Sequence, residues 1–175
     1  MDRDRFWAII AKSRAGFDPG RRDGNQADQV ERLTALLAAL PGDEIVAFQR
    51  CFDDAMNDAY DWDLWGAAYL IGGGCSDDGF MDFRSWLISM GRDVYDAALR
   101  DPETLLEVAD APGVEVTAFE ELHYVPGQAY EEKTGEEMPD TGVSHHREPA
   151  GDEWTEEDDD LARRFPRLWA KYGVG

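Results

Sequence analysis

The sequence predicts an all-α protein: a compact, single-domain helical bundle of about seven to nine helices over residues 1–175, with an acidic surface loop and a C-terminal segment that packs back. Three observations carry that prediction. Apolar residues recur at steps of three and four along nearly the whole chain, with no convincing alternation of period two. The runs are separated by residues that start and stop helices. Finally, 43% of the 175 residues are hydrophobic and 11% aromatic, enough to build a core and too many for a disordered acidic chain.

The opening segment carries Phe6, Trp7, Ile9 and Ile10, with Asp2 placed to cap its first turn. Residues 14–24 are loop by composition. Val30, Leu33, Leu37 and Leu40 then form one helical face, ended by Pro41-Gly42. Ile45, Phe48, Phe52, Met56 and Tyr60 make the clearest stripe, with Asp43 and Glu44 where a helix N-terminus favours negative charge. Gln49, Arg50, Asp53, Asp54, Asn57 and Asp58 lie on its opposite face. Residues 62–71 are apolar almost all round, the pattern of a buried helix, and Gly72-Gly73-Gly74 ends it, because glycine tolerates a left-handed cap.

Ser76 starts the next helix, with Asp77 and Asp78 in its first turn and Phe80, Phe83, Leu87 and Met90 as its core stripe. Gly91 interrupts, and Val94, Tyr95, Ala98 and Leu99 continue helically. Asp101-Pro102-Glu103 combines an N-cap with proline at the first helical position, opening a short helix through Leu105, Leu106 and Ala109 that Pro112-Gly113 stops. Thr117 and Glu120 have capping-box spacing, and Pro126-Gly127 is expected to break or kink the run before residues 128–133. Residues 136–153 lack an apolar period and are expected to form an extended acidic surface loop. In the last segment, 154–175, Thr155 and Asp158 are placed to cap a turn with Leu161 and Phe165, and Pro166 starts another with Leu168, Trp169 and Tyr172. It is too apolar to float, and its bases are expected to answer the acidic run.

Thirty-eight acids against 17 bases leave a net charge of −21. Residues 1–100 hold 18 acids and 11 bases, residues 101–160 hold 20 acids against Lys133 and Arg147, and residues 161–175 hold four bases and no acid. Such acidity argues against direct nucleic-acid or anionic-membrane binding, both of which want Lys/Arg surfaces. No apolar run approaches the roughly 18 residues of a membrane span, and the opening lacks a signal peptide's apolar stretch. Two isolated cysteines, Cys51 and Cys75, are no disulfide framework, so a cytoplasmic location is expected.

The block 61–71, Asp-Trp-Asp-Leu-Trp-Gly-Ala-Ala-Tyr-Leu-Ile, is followed by Gly-Gly-Gly-Cys-Ser-Asp-Asp-Gly-Phe, then Phe83-Arg84 and Trp86-Leu87-Ile88. With the opening Asp-Arg-Phe-Trp and the closing Arg-Phe-Pro-Arg-Leu-Trp-Ala-Lys-Tyr-Gly, it resembles a family of bacterial proteins known as domain of unknown function 4240. The resemblance implies a compact helical domain. It carries no activity, substrate, cofactor or catalytic residue to transfer.

Each chemistry-bearing cluster has a sharp reading and a bland one. The glycine run before a helix N-terminus suggests a phosphate cradle, but Asp77 and Asp78 follow at once. Each would repel an anion by roughly 3–4 kcal/mol per unit-charge pair at an effective dielectric near 20, and the run has no lysine. Asp54 and Asp58 share a helix face; if Asp77 and Asp78 approached them, the four could hold Mg²⁺ or Ca²⁺ and activate water for a metal-dependent hydrolase. The bland account is a solvated acidic face. Cys75 would be somewhat activated by a helix N-terminus, with His123 its only plausible base, yet nothing orients that pair. His145-His146 falls in the polar loop, without the four ligands of a closed zinc site. Trp62 and Trp65, three apart, and Trp86 are expected in the core, or else they floor a binding cleft rimmed by Asp61, Asp63, Asp77, Asp78 and Arg84.

The function expected from these features is a non-enzymatic interaction module that binds a basic protein partner, steered by charge. Two alternatives remain: a DNA-mimic or toxin-neutralising protein, and the metal-dependent hydrolase. Mimicry is demanding. About 8,600 Å² of surface gives roughly one net charge per 400 Å², against roughly one per 110 Å² on duplex DNA.

Overall fold

The computed structural model describes residues 1–21 and 23–173. Among them are nine α-helices: α1 (Arg3–Ser13), α2 (Asn25–Ala38), α3 (Gly42–Asp58), α4 (Trp62–Gly72), α5 (Asp77–Ser89), α6 (Arg92–Arg100), α7 (Glu121–Thr134), α8 (Asp158–Arg164) and α9 (Pro166–Tyr172), with a 3₁₀ helix at Pro102–Glu107 between α6 and α7. The protein is all-helical, as its periodicity predicts. The sole β feature among the described residues is an isolated parallel bridge between Asp61 and Ala150.

The caps form largely where the sequence places them. Asp2 accepts from Arg5 N at 2.8 Å, Ser76 Oγ from Gly79 N at 3.1 Å, and Asp101 from Glu103 N at 3.0 Å; Asp61, expected on a cleft rim, adds a further cap by accepting from Asp63 N at 2.8 Å. Gly73 ends α4 in the left-handed region, with φ 66°. α5 is the central helix, packed against α1, α3, α4, α6 and α7. Its Phe80, Phe83, Trp86, Leu87 and Ile88 are all buried. α7 lies across α2 and α3.

Three local expectations differ from the structure. α7 runs unbroken through Pro126. The missing N–H and the ring cost the helix a hydrogen bond, but Leu122, Val125, Pro126 and Ala129 are buried, and tertiary packing outweighs that loss. Thr117 and Glu120 make no capping box; α7 starts at Glu121 without a side-chain cap. The segment after Asp101 is a 3₁₀ helix ending at Glu107. In the C-terminal segment, Asp160 Oδ2 accepts from Thr155 N at 2.9 Å; the Asp158 side chain and residues 174–175 lie outside the described set.

The C-terminal segment packs back on the body. Trp154, Leu161, Phe165 and Leu168 join the common core, and α9 rests on α4 and the 3₁₀ helix. Gly66 makes the approach possible: a Cβ there would meet Phe165 Cε2 at 2.5 Å. Burial of each large apolar side chain contributes about 1.5–3 kcal/mol. The exposed pairs Arg163–Asp160 and Lys171–Asp110 are worth about 0–1 kcal/mol each. Apolar contact docks the segment; charge trims its position.

Residues 136–153 contain no helix, yet they are pinned along the polar face of α3. Thr141 Oγ1 donates to Asp53 Oδ2 at 2.7 Å, and Arg50 Nε donates to the Thr141 carbonyl at 3.0 Å. Asn57 Nδ2 donates to the Ser144 carbonyl at 2.9 Å, and His146 N donates to Asn57 Oδ1 at 3.1 Å. At its end, Trp62 N donates to the Ala150 carbonyl and Ala150 N to the Tyr60 carbonyl, both at 2.9 Å. The face that the sequence marks as solvated is therefore partly roofed by this loop.

Candidate functional site

The tryptophans and aspartates expected in one cleft are distributed differently. Trp62 and Trp65 stack at 5.1 Å with an 8° interplanar angle, and Trp65 stacks on Phe80 at 5.0 Å. Trp154 meets Trp62 edge-on at 6.1 Å. The Trp65 indole N–H donates to the Cys75 carbonyl at 3.0 Å. Trp62 and Trp65 are half-buried, whereas Phe80, Trp154 and Trp86, the last 2% exposed, are core. Asp61 is occupied as the α4 cap, and Asp63 faces Arg164 at 3.5 Å. Asp61 and Asp63 border one depression with Asp58 and Arg100, whereas Asp77, Asp78 and Arg84 line another.

The four aspartates considered for a metal do not come together. Asp58 pairs with Arg3 at 2.7 Å, Asp77 Oδ1 accepts from the Tyr60 hydroxyl at 3.2 Å, and Asp54 and Asp78 are exposed. Among the described residues, no three His, Cys, Asp or Glu side chains are grouped to hold a metal ion. Helical register is the reason. Asp53, one residue from Asp54, turns under the loop, where Gln49 Nε2 and Thr141 Oγ1 each donate to it at 2.7 Å. The activation expected for Cys75 is reversed: burial pushes its thiol up to about 11, leaving it protonated and a poor nucleophile near neutrality.

Asp77, Asp78 and Arg84, expected on a cleft rim, line a cleft of about 310 Å³ between the second half of α3, the first turns of α5, the start of α7 and the 136–153 loop, whose α3, α7 and loop walls sequence reasoning missed. All three histidines of the chain line it. His123 stands edge-on to Phe52 at 5.4 Å, with Nε2 3.5 Å from the Met81 carbonyl. Burial holds its imidazole below the ordinary value, and nearby Arg84 adds to that shift. His145, His146 and Arg147 reach the cleft because Asn57 anchors the loop on both sides of His145. Arg84 forms the base. It lies one helical turn after Phe80, on the core side of α5, and that charged residue within an apolar stripe was the one legible signal of the cleft.

Beyond Asp78, which lines the cleft, carboxylates from two helix starts come within electrostatic reach of one another. Asp78 and Asp82 come from α5, Glu120 and Glu121 from the start of α7. Burial raises the pKa of Asp82, and the charges of Glu120, Asp78 and Glu121 raise it further. Asp82 Oδ1 is buried without a hydrogen-bond partner among the described residues. None of the four forms an ion pair among the described residues. Met81 and Tyr124 are 38% and 52% exposed beside them, and the Tyr124 hydroxyl donates to Glu120 at 3.0 Å.

A family model described as a protein of unknown function, DUF4240, matches residues 1–132. No curated protein and no solved structure matches the chain significantly. No helix among the described residues is long and apolar enough to cross a membrane.

Proposed function

Since the chain belongs to the DUF4240 family, whose description names no activity, we propose on physical grounds that it is a non-enzymatic interaction module for a basic protein partner. The observation that carries this reading is the α5–α7 rim. Asp78, Glu120 and Glu121 bear electrostatically on Asp82, none of the four forms an ion pair among the described residues, and Met81 and Tyr124 are exposed nearby. A partner's Lys or Arg placed there relieves like-charge repulsion and supplies the missing counter-charge for Asp82. Exposed charges of this kind chiefly speed and orient encounter, while the aromatic and methionine side chains supply the apolar grip.

A toxin-neutralising role is one instance of the same chemistry. The DNA-mimic alternative draws less support. Arg164 donates to the carbonyls of Asp152 and Glu153, and Arg163 pairs with Asp160, so cations are set within the most acidic stretch. Over 9254 Å² of surface, the net charge of −21 averages roughly one per 440 Å², about a quarter of the density of duplex DNA. The hydrolase alternative finds no convergent ligand set among the described residues.

The test is affinity capture from a native lysate at low and high salt, with wild type and D82N/E120Q/E121Q run side by side. The expected result is a basic protein retained at low salt, released at high salt, and lost in the triple variant. Absence of any salt-sensitive partner, or capture indifferent to the three substitutions, overturns the reading.

A further inference from the structure

Arg84 is 9% exposed, yet among the described residues no carboxylate lies within ion-pairing distance of it. Nε donates to the Phe80 carbonyl at 3.3 Å and Nη1 to the Met56 carbonyl at 2.9 Å. The guanidinium lies 4.4 Å from the Tyr60 ring centroid and 5.0 Å from that of Phe80. Nη2 has no hydrogen-bond partner among the described residues. A guanidinium does not shed its proton at any relevant pH, so burial leaves a positive charge that carbonyls and ring faces only partly offset. For stability alone, a leucine or methionine would serve as well or better. The feature that distinguishes the site is that this guanidinium lines the 310 Å³ cleft.

The other walls define what fits. His123 and Arg147 border the same space, while Asp77 and Asp78 border it as well. Those two aspartates disfavour a bare polyanion. They favour a molecule that presents an acid group to Arg84 and hydrogen-bond donors to the carboxylates. At about 30 Å³ per water, the cleft holds the equivalent of about ten waters, the size of a small metabolite and too little for a folded segment.

We propose that this cleft binds a small molecule bearing one carboxylate or phosphate group, seated on Arg84, and hydroxyl or amine donors directed at Asp77 and Asp78. Arginine is a recurrent means of fixing such groups, because charge-assisted hydrogen bonds are about twice as strong as neutral ones, and Arg147 and His123 line the same space as Arg84. This site stands on Arg84 and its cavity and shares only Asp78 with the rim proposed above for a protein partner.

The histidines make the test direct, since all of the chain's imidazoles report from the cleft. Their ring ¹H–¹³C signals are followed while O-phosphoethanolamine, or in a second arm L-serine, is added up to about 50 mM against chloride of equal ionic strength. A saturable shift of the His123 signal, absent with chloride, is expected in at least one arm; the arm that responds identifies the acid group. R84K is expected to weaken binding about tenfold or more, and R147Q about threefold. If R84K does not fold, R147Q decides, because Arg147 lies at the mouth and makes no hydrogen bond among the described residues. No saturable shift in either arm, or unchanged affinity in the folded variants, overturns the proposal.

Discussion

At Asp82 three effects act in one direction: a buried carboxylate oxygen, no partner for it, and the charges of Glu120, Asp78 and Glu121. Its folded pKa is raised above the ordinary 3.8, so the folded state holds the proton more tightly than the unfolded state. Stability from this residue is present below 3.8 and falls as pH climbs through the raised value. D82N is therefore expected to raise the melting temperature at pH 7, with the gain vanishing near pH 3. Thermal unfolding across pH checks this, and a loss of stability at neutral pH would contradict it. Arg84 is the complementary case, a charge legible in the sequence as an oddity on an apolar face. Its lack of a counter-ion is visible only once α3, α4 and α5 are assembled.

Among elements, α4 and the C-terminal segment test each other. Their contact depends on Gly66, where an added Cβ meets Phe165 at 2.5 Å and Trp154 Cδ1 at 3.2 Å. Alanine in a helix gains about 1 kcal/mol over glycine, but overpacking costs about 1–3 kcal/mol, so G66A is expected to lower stability. Gly127, in α7, has nothing within 4 Å of its added Cβ. G127A is therefore expected to raise stability by up to about 1 kcal/mol. Denaturant midpoints of the two variants check both signs. The helices themselves were legible because their apolar period and caps are local. Pro126 was misjudged for the same reason: a local rule assigns it a break, and burial against neighbouring helices overrides that rule.

For the molecule as a whole, 38 acids against 17 bases mean that the folded state works against its own charge. Ion pairs such as Arg3–Asp58 and Arg92–Asp4 are exposed and offset little of it. Raising NaCl from about 10 mM to about 0.5 M shortens the Debye length from about 30 Å to a few ångströms. The melting temperature is expected to rise over that range, followed by circular dichroism; a steady fall would place the surface pairs above the repulsion. The same excess charge, to which the α5–α7 rim contributes four carboxylates, underlies the proposed basic partner.

The helical class, most helix ends, the core stripes and the packing back of residues 154–175 are all legible in the chain, because periodicity, caps and apolar content act over a turn or two of backbone. So are the excess of acid and its location along the chain. Which charged groups meet is settled by how the helices and loops assemble. That assembly sent Asp54 and Asp58 away from Asp77 and Asp78, and brought His145 and His146 across α3 to His123 and Arg84. Such encounters depend on loop path and helix rotation, which packing between distant segments sets and no local pattern records.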